Sequence, residues 1–401
     1  MYKEQTFFAK LLRAYKQGRL VPRITTALNL FLHKLKYLIY DPASDSVSLH
    51  YPEYVAPDKN ESAIVQRIFT SYKKMKEDQS RANRVYSPST LWEKLLGKAY
   101  SNIISGALEN DIGRFHFFLA NFGSWKEYTG VESSDMIRDN MNSFLGRRYL
   151  RNELFYNQLK TWEWFYNNRK PAASLTYPAH GNQAGAYING NFVGVGSFFN
   201  EIYGSTLSSL IRDLKRPVIA EIGAGYGKLA YFIVRDMKDF AFIDFDLPET
   251  LCLAAYYLMK TFPEKRCLLY GEAEYSGSSH EKYDMVFMPS YEICKIGSDT
   301  VDLFINKNSL GEMTKEAVYE YIKYISKATK GYFFHMNHDI RPNTYYDDSR
   351  GLLGYEYPVP ADQFKLLFRY PDVGHMLYRG FLDFDADIFI YLYEKKALKH
   401  I

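Results

Sequence analysis

The sequence predicts an α/β protein: a doubly wound, mostly parallel sheet preceded by a mainly helical segment. Three observations carry this. From residue 216 onward, short β-branched and aromatic runs alternate with helical patterns, the signature of parallel strands joined by crossover helices. Residues 1–170 instead carry apolar residues at three- and four-residue steps, the period of helices. Between these parts, Pro171, Pro178 and the glycines from Gly181 to Gly196 interrupt helical periodicity. The expected organisation is a mostly helical domain over 1–170, a glycine-rich lid loop with a linking helix over 171–214, and a sheet domain over 215–401. With 401 residues, 47% hydrophobic and 24% charged, the chain has the balance of a globular protein with a sizeable core.

In chain order, the first 40 residues are basic and amphipathic. Met1–Lys36 holds eight Lys or Arg against one Glu, a local charge of +7, in a chain whose net charge is +4; the remainder is −3. Phe7, Phe8, Leu11, Leu12 and Tyr15 share one helical stripe. Ile24, Leu28, Phe31, Leu35 and Leu38 share a second, with a break expected near Pro22. Two readings stay open here. The apolar faces pack on the rest of the protein, or they make peripheral contact with an anionic membrane. Residues 41–60 read as a turn-rich connector. Helices are expected over Ser62–Lys76, from Ser87-Pro-Ser-Thr through Ile104, and over Ile112–Phe122, Met136–Tyr166 and Phe198–Asp213. The run His180–Tyr187 reads as a loop. Strands are expected at Pro217–Ile222, Ala241–Phe245, Arg266–Tyr270, Met285–Met288, Val301–Asn306, Tyr332–Met336, Phe364–Phe368 and Ile388–Tyr393. Helices fill Lys228–Met237, Pro248–Thr261 and Lys315–Thr329. Only a loop separates the last two strands, which predicts an antiparallel hairpin at one edge.

Composition narrows the classes. The cysteines, Cys252, Cys267 and Cys294, have no C-x-x-C spacing, so neither a disulfide framework nor a zinc site is expected. The longest obvious apolar run, Leu251–Met259, is far short of a bilayer span, and the start lacks a signal-peptide core. A cytoplasmic protein is expected, with the inner face of the cytoplasmic membrane as the place for any lipid contact. A net charge of +4 with no basic run in the sheet domain predicts no nucleic-acid partner. Nothing in the sequence sets an oligomeric state.

The strongest local signal is Glu221-Ile-Gly-Ala-Gly-Tyr-Gly at the end of the first core strand. Gly223, Gly225 and Gly227 permit a tight turn and a close ligand approach, and Ala224 shares that turn. A dinucleotide fingerprint, G-x-G-x-x-G, would need glycine where Lys228 stands. The pattern E-x-G-x-G-x-G matches instead the first motif of class I S-adenosylmethionine (SAM) methyltransferases. Asp246 lies 19 residues beyond Gly227, at the next strand's end, where a carboxylate accepts from ribose hydroxyls. Asp244, on the same face, is its rival. Ser290 and Asn306 end the third and fourth core strands, and Asn337 ends the fifth.

Glu221-Ile-Gly-Ala-Gly-Tyr-Gly, Asp246-Leu-Pro-Glu-Thr-Leu, Asn308-Ser-Leu-Gly-Glu-Met and Gly181-Asn182 resemble the sugar O-methyltransferases of bacterial surface-polysaccharide gene clusters. The resemblance covers roughly 90 to 395. It implies SAM as cofactor, held by Glu221, Gly223, Ala224, Gly225, Gly227, Asp246, Leu247, Ser290 and Asn306. It implies an acceptor that is a sugar or glycan, nucleotide-linked or lipid-linked. Asn182, Tyr187, Tyr203, Asn308 and Asn337 are expected around that acceptor. A class I enzyme acting on another small molecule, on RNA or on protein is the alternative.

A sugar hydroxyl is a poor nucleophile, so a base should assist. Glu312, His335, His338 and Asp339 sit at the active end. Imidazole chemistry favours His338; the resemblance favours Glu312. A pair in which Glu312 orients His338 reconciles the two. No metal is expected, because metal-using sugar methyltransferases rely on a richer carboxylate cluster than this.

Overall fold

A computed structural model describes residues 15, 20–127, 129–131, 134–372, 374 and 387–397. Helix α1 (Leu20–Leu35) takes Pro22 into its first turn, where a missing N–H removes no intrahelical bond. The expected break near Pro22 therefore does not interrupt this helix. The earlier stripe, apart from Tyr15, lies outside the described residues. The connector expected over 41–60 contains strand β1 (Val47–His50). Four helices follow: α2 (Ser62–Gln79), α3 (Thr90–Ala99), α4 (Ser101–Leu108) and α5 (Ile112–Asn121). The helix expected from Ser87 through Ile104 is thus two, divided at Tyr100. The stretch expected as one helix over Met136–Tyr166 comprises α6 (Ser134–Met141), α7 (Phe144–Tyr149), a wider π-helical segment at Leu150–Asn157, and α8 (Gln158–Phe165).

The glycine-rich segment differs from its expectation. It holds a hairpin of β2 (Gly185–Ile188) and β3 (Asn191–Gly194), and β2 also pairs with β1. The turn is Asn189-Gly190, both at positive φ (49° and 79°), as a two-residue hairpin turn requires. That Asn-Gly pair was the available sequence signal. The three-stranded sheet buries its own small core with Leu150, Leu154, Phe155 and Trp162.

Helix α9 (Ser197–Ile211) leads into the main sheet. Its elements are β4 (Val218–Ile222), α10 (Lys228–Val234), β5 (Ala241–Asp246), α11 (Pro248–Thr261), β6 (Cys267–Leu269), β7 (Met285–Pro289), β8 (Val301–Lys307), α12 (Lys315–Ala328), β9 (Thr329–His338), β10 (Phe364–Pro371) and β11 (Ile388–Lys395). The strand order is β10-β11-β9-β8-β4-β5-β7-β6. Strands β4 to β9 are parallel to their neighbours; β11 runs antiparallel to both β9 and β10. This is the fold expected: a Rossmann-like, class I methyltransferase-type sheet, mostly parallel, with an antiparallel C-terminal hairpin. The chain leaves β4 towards β5 on one side and returns at β8 on the other, which opens a crevice at their carboxyl ends.

Buried side chains of α2–α5 join those of α9–α11 and one sheet face in a single cluster, while α12 and Tyr86 cover the other face. Tyr72 of α2 donates to Glu249 Oε1 of α11 at 3.1 Å, and Lys76 Nζ lies 3.0 Å from the same oxygen. The N-terminal helices are thus packed into the sheet domain's core.

Candidate active site

A cavity of about 460 Å³ opens at the carboxyl ends of β4, β5 and β8, a size suited to a cofactor and small ligand. Register places Ile222 beside Asn306 and Asn306 beside His335, so the ends of β4, β8 and β9 are level. The floor is the turn after β4. Gly223, Gly225 and Gly227 have φ of 74°, 65° and 89°, a region other residues rarely adopt. A Cβ on Gly223 would collide with Ser309, and one on Gly225 would come within 3.4 Å of Val131. The turn therefore leaves bare backbone towards the cavity. Gly227 does not line it; it caps α10 and packs on Leu258.

Carboxylates surround this floor. Asp246 accepts from Leu247 N (2.7 Å) and Gly225 N (3.3 Å), which fixes it at the turn's mouth. Burial raises its pKa, with Thr250 and these two N–H groups opposing. Glu221 is 2% exposed, and its Oε2 has no hydrogen-bond partner. Burial pushes Glu221 up to about 8, against the pull of Lys307. A buried orphan carboxylate beside bare glycine backbone fits a ligand that brings positive charge and N–H donors. SAM has both, a sulfonium and an ammonium. Leu247 and Ala224 also line the cavity.

Glu312 also lines the cavity. Trp92 Nε1 donates to its Oε2 at 2.7 Å, and Ser89 Oγ donates to its backbone carbonyl at 2.7 Å. Burial lifts Glu312 to about 7; the Trp92 hydrogen bond and the charge of His338 hold it down. A carboxyl raised towards neutrality suits a general base.

Several expected site residues are placed elsewhere. His338 does not line the cavity; its Nδ1 lies 2.9 Å from Asp387 Oδ2, so Glu312 orients on Trp92 and not on His338. His335 is fully buried, stacked 4.3 Å from Tyr391. Asp339 is held by Arg369 and Tyr391. Asn306 and Asn337, expected as cofactor and acceptor contacts, are both fully buried clamps. Asn306 Nδ2 donates to Ile222 O (2.9 Å) and its Oδ1 accepts from Asn337 Nδ2 (2.8 Å); Asn337 Oδ1 accepts from Gly311 N (3.0 Å). Their amides are occupied by backbone and by each other. Ser290 is buried outside the lining, where Tyr321 takes the wall position. Asn182 donates to Glu53 O (2.8 Å) and Asn121 Oδ1 (2.9 Å), tying the segment before β2 to α5. Tyr187 sits half-exposed on the three-stranded sheet, away from the cavity.

Two expected acceptor residues do line it. Asn308 has φ of 63° and a buried Oδ1 with no partner; Tyr203 donates to Asp372 Oδ1. Lining residues that sequence reasoning missed include Trp92, Val131, Phe199, Asn200, Lys307 and Asp372. Some had an adjacent signal: Trp92 follows the helix start at Ser87-Pro-Ser-Thr, Phe199 and Asn200 stand at the start of the helix expected from Phe198, and Lys307 lies between Asn306 and Asn308. Among the described residues, no group of three His, Cys, Asp or Glu side chains is arranged to hold a metal ion.

No protein-family model matches the chain, and no characterised protein matches it in sequence. Among solved structures it is similar to the mitomycin 7-O-methyltransferase MmcR (11% identity, TM-score 0.32, covering 50% of this chain and 57% of that one). It is similar to a SAM-dependent methyltransferase from Aquifex aeolicus (12%, 0.33, 49% and 89%). It is equally similar to the [4+2]-cyclase SpnF (12%, 0.33, 49% and 81%). These likenesses cover about half of this chain, and the match spans little more than half of MmcR.

Proposed function

We propose that the chain is a SAM-dependent O-methyltransferase whose acceptor is a hydroxyl of a sugar or glycan, acting in bacterial surface-polysaccharide synthesis. The observation that carries this is a cavity lined by two chemically distinct groups. One is the glycine turn with the orphan Glu221 and with Asp246; the other is Glu312, raised to about 7 and aimed by Trp92. SAM, when bound, supplies an electrophilic methyl group on a sulfonium. Glu221, the Gly223–Gly225 backbone, Asp246 and Leu247 would hold it. Glu312 Oε accepts the proton of the acceptor hydroxyl, while Trp92 Nε1 fixes the carboxylate's direction. The cavity wall supports a hydroxyl-rich acceptor. Asn200 Oδ1 and Asn308 Oδ1 are buried acceptors without partners, which suit hydroxyl donors.

The test is incubation with SAM and a panel of nucleotide-linked and lipid-linked sugars, read by mass spectrometry. A one-methyl gain on a sugar supports the reading. Methylation of RNA or protein with no glycoside product, or absence of SAM binding, overturns it.

A further inference from the structure

We propose that α1 and the turn after it form a docking surface for an anionic lipid bilayer. Helix α1 turns an apolar stripe outward. Its polar C-terminal end faces the body: His33 pairs with Glu153, Lys34 donates to Asn140 Oδ1 at 2.7 Å, and Lys36 Nζ lies 2.7 Å from Glu153 Oε1. Tyr37, buried, also donates to Glu153. Ile24, Leu28 and Phe31 follow i, i+4, i+7 and are 58%, 55% and 54% exposed; Leu32 is 54% exposed. Ile39 beyond the helix end is 95% exposed. Arg148 donates to the carbonyls of Tyr37 and Leu38, at 2.9 and 3.0 Å, and lies over exposed Phe144.

Folding alone turns an amphipathic helix the other way, with its apolar stripe against the core. Of the two readings open from sequence, burial of the second stripe on the body is therefore excluded for Ile24, Leu28, Phe31 and Leu38. A contiguous exposed stripe marks a contact surface, and charge chooses the occupant. The segment Met1–Lys36 carries +7 while the rest of the chain carries −3. A second copy docking stripe to stripe would bring two such +7 segments together. Lys34 and Lys36 are held by the body, which leaves six Lys or Arg in residues 3–23; an anionic bilayer satisfies both demands on one segment, taking the apolar stripe into the interface and attracting this charge. Helix α1 has 16 residues, and no described helix is long and apolar enough to cross a membrane, so it lies on the surface.

The full chain should co-float with vesicles of equal parts phosphatidylglycerol and phosphatidylcholine, and not with phosphatidylcholine alone. Binding should fall at least about tenfold when salt is raised to roughly 0.5 M, where the Debye length shrinks to a few ångström. The triple variant I24S/L28S/F31S should fold with unchanged thermal stability and lose at least about tenfold in vesicle affinity. Equal binding to neutral vesicles, no binding, or a triple variant that binds like the parent overturns the proposal. So does a dimer, seen by light scattering, that the triple variant dissolves. No arm uses methyl transfer, so an inactive enzyme would leave this result standing.

Discussion

Glu312 shows how one side chain acquires a chemical role from its surroundings. On an open surface it would ionise far below neutrality; burial in the cavity wall raises it to about 7. As a base it works only when ionised, so kcat/KM should rise with pH through about 7 and level off above. The Trp92 hydrogen bond favours the ionised form. Removing it in Trp92→Phe should move that limb to higher pH, a shift a merely structural tryptophan would not cause. Glu312→Gln should lower turnover by at least ~100-fold with SAM affinity changed little. Glu221 makes a second, opposite case. Its folded pKa is raised from 4.5 to about 8, so between those values the native state holds a proton that the unfolded state has lost. Stability of the free protein should therefore fall as pH rises through this window. Glu221→Gln should raise Tm at pH 8 by at least ~2 °C, while weakening SAM binding and abolishing the proton release that calorimetry should detect on binding. Asp246→Ala, which removes a charged hydrogen-bond acceptor worth ~1.5–3 kcal/mol per bond, should cost at least tenfold in SAM affinity.

Turns and strand ends separate the residues that bind from those that brace. Gly223 and Gly190 both have positive φ, 74° and 79°, so Ala at either site meets left-handed strain of about 1–2 kcal/mol. At Gly190 an added Cβ has open space; at Gly223 it strikes Ser309 and narrows the cavity floor. Gly190→Ala should thus lower Tm with SAM affinity intact, and Gly223→Ala should lose both. Asn306 is the instructive counterpart. It stands at a strand end, where α/β ligands bind, yet its amide clamps β4 to β8 and β8 to β9. Asn306→Ala would leave buried backbone and amide groups unpaired, at ~1–3 kcal/mol each. Its first effect should be on denaturant midpoint and not on SAM affinity measured well below that midpoint.

Across the whole molecule, one core joins helices α2–α5 to the sheet domain, so the two should unfold together. Calorimetry should give a single transition for that body, and a fragment beginning at Ser197 should aggregate, because it would bare the α11 face that α2 covers. The sequence by itself determined the parallel sheet, nearly every strand and helix within it, and the glycine turn followed by Asp246. These are set by local rules: period 2 against 3.6, glycine where φ must be positive, a carboxylate one strand later. The hairpin at 185–194, read as part of a loop, had one local signal, Asn189-Gly190. Which strand-end side chains reach the cavity was decided only by tertiary structure. Asn306 and Asn337 satisfy the same local pattern as Glu221 and Asn308, and differ in that neighbours from other elements occupy their polar atoms; Ser290 differs in being buried outside the lining. Trp92 and Val131 enter the site from far before its central motif in the chain, and no periodicity in one segment encodes the contact it will make with another. The outward turn of α1 has the same origin. Its stripe was visible in the sequence, but its direction depended on Glu153 being placed to hold His33, Lys36 and Tyr37.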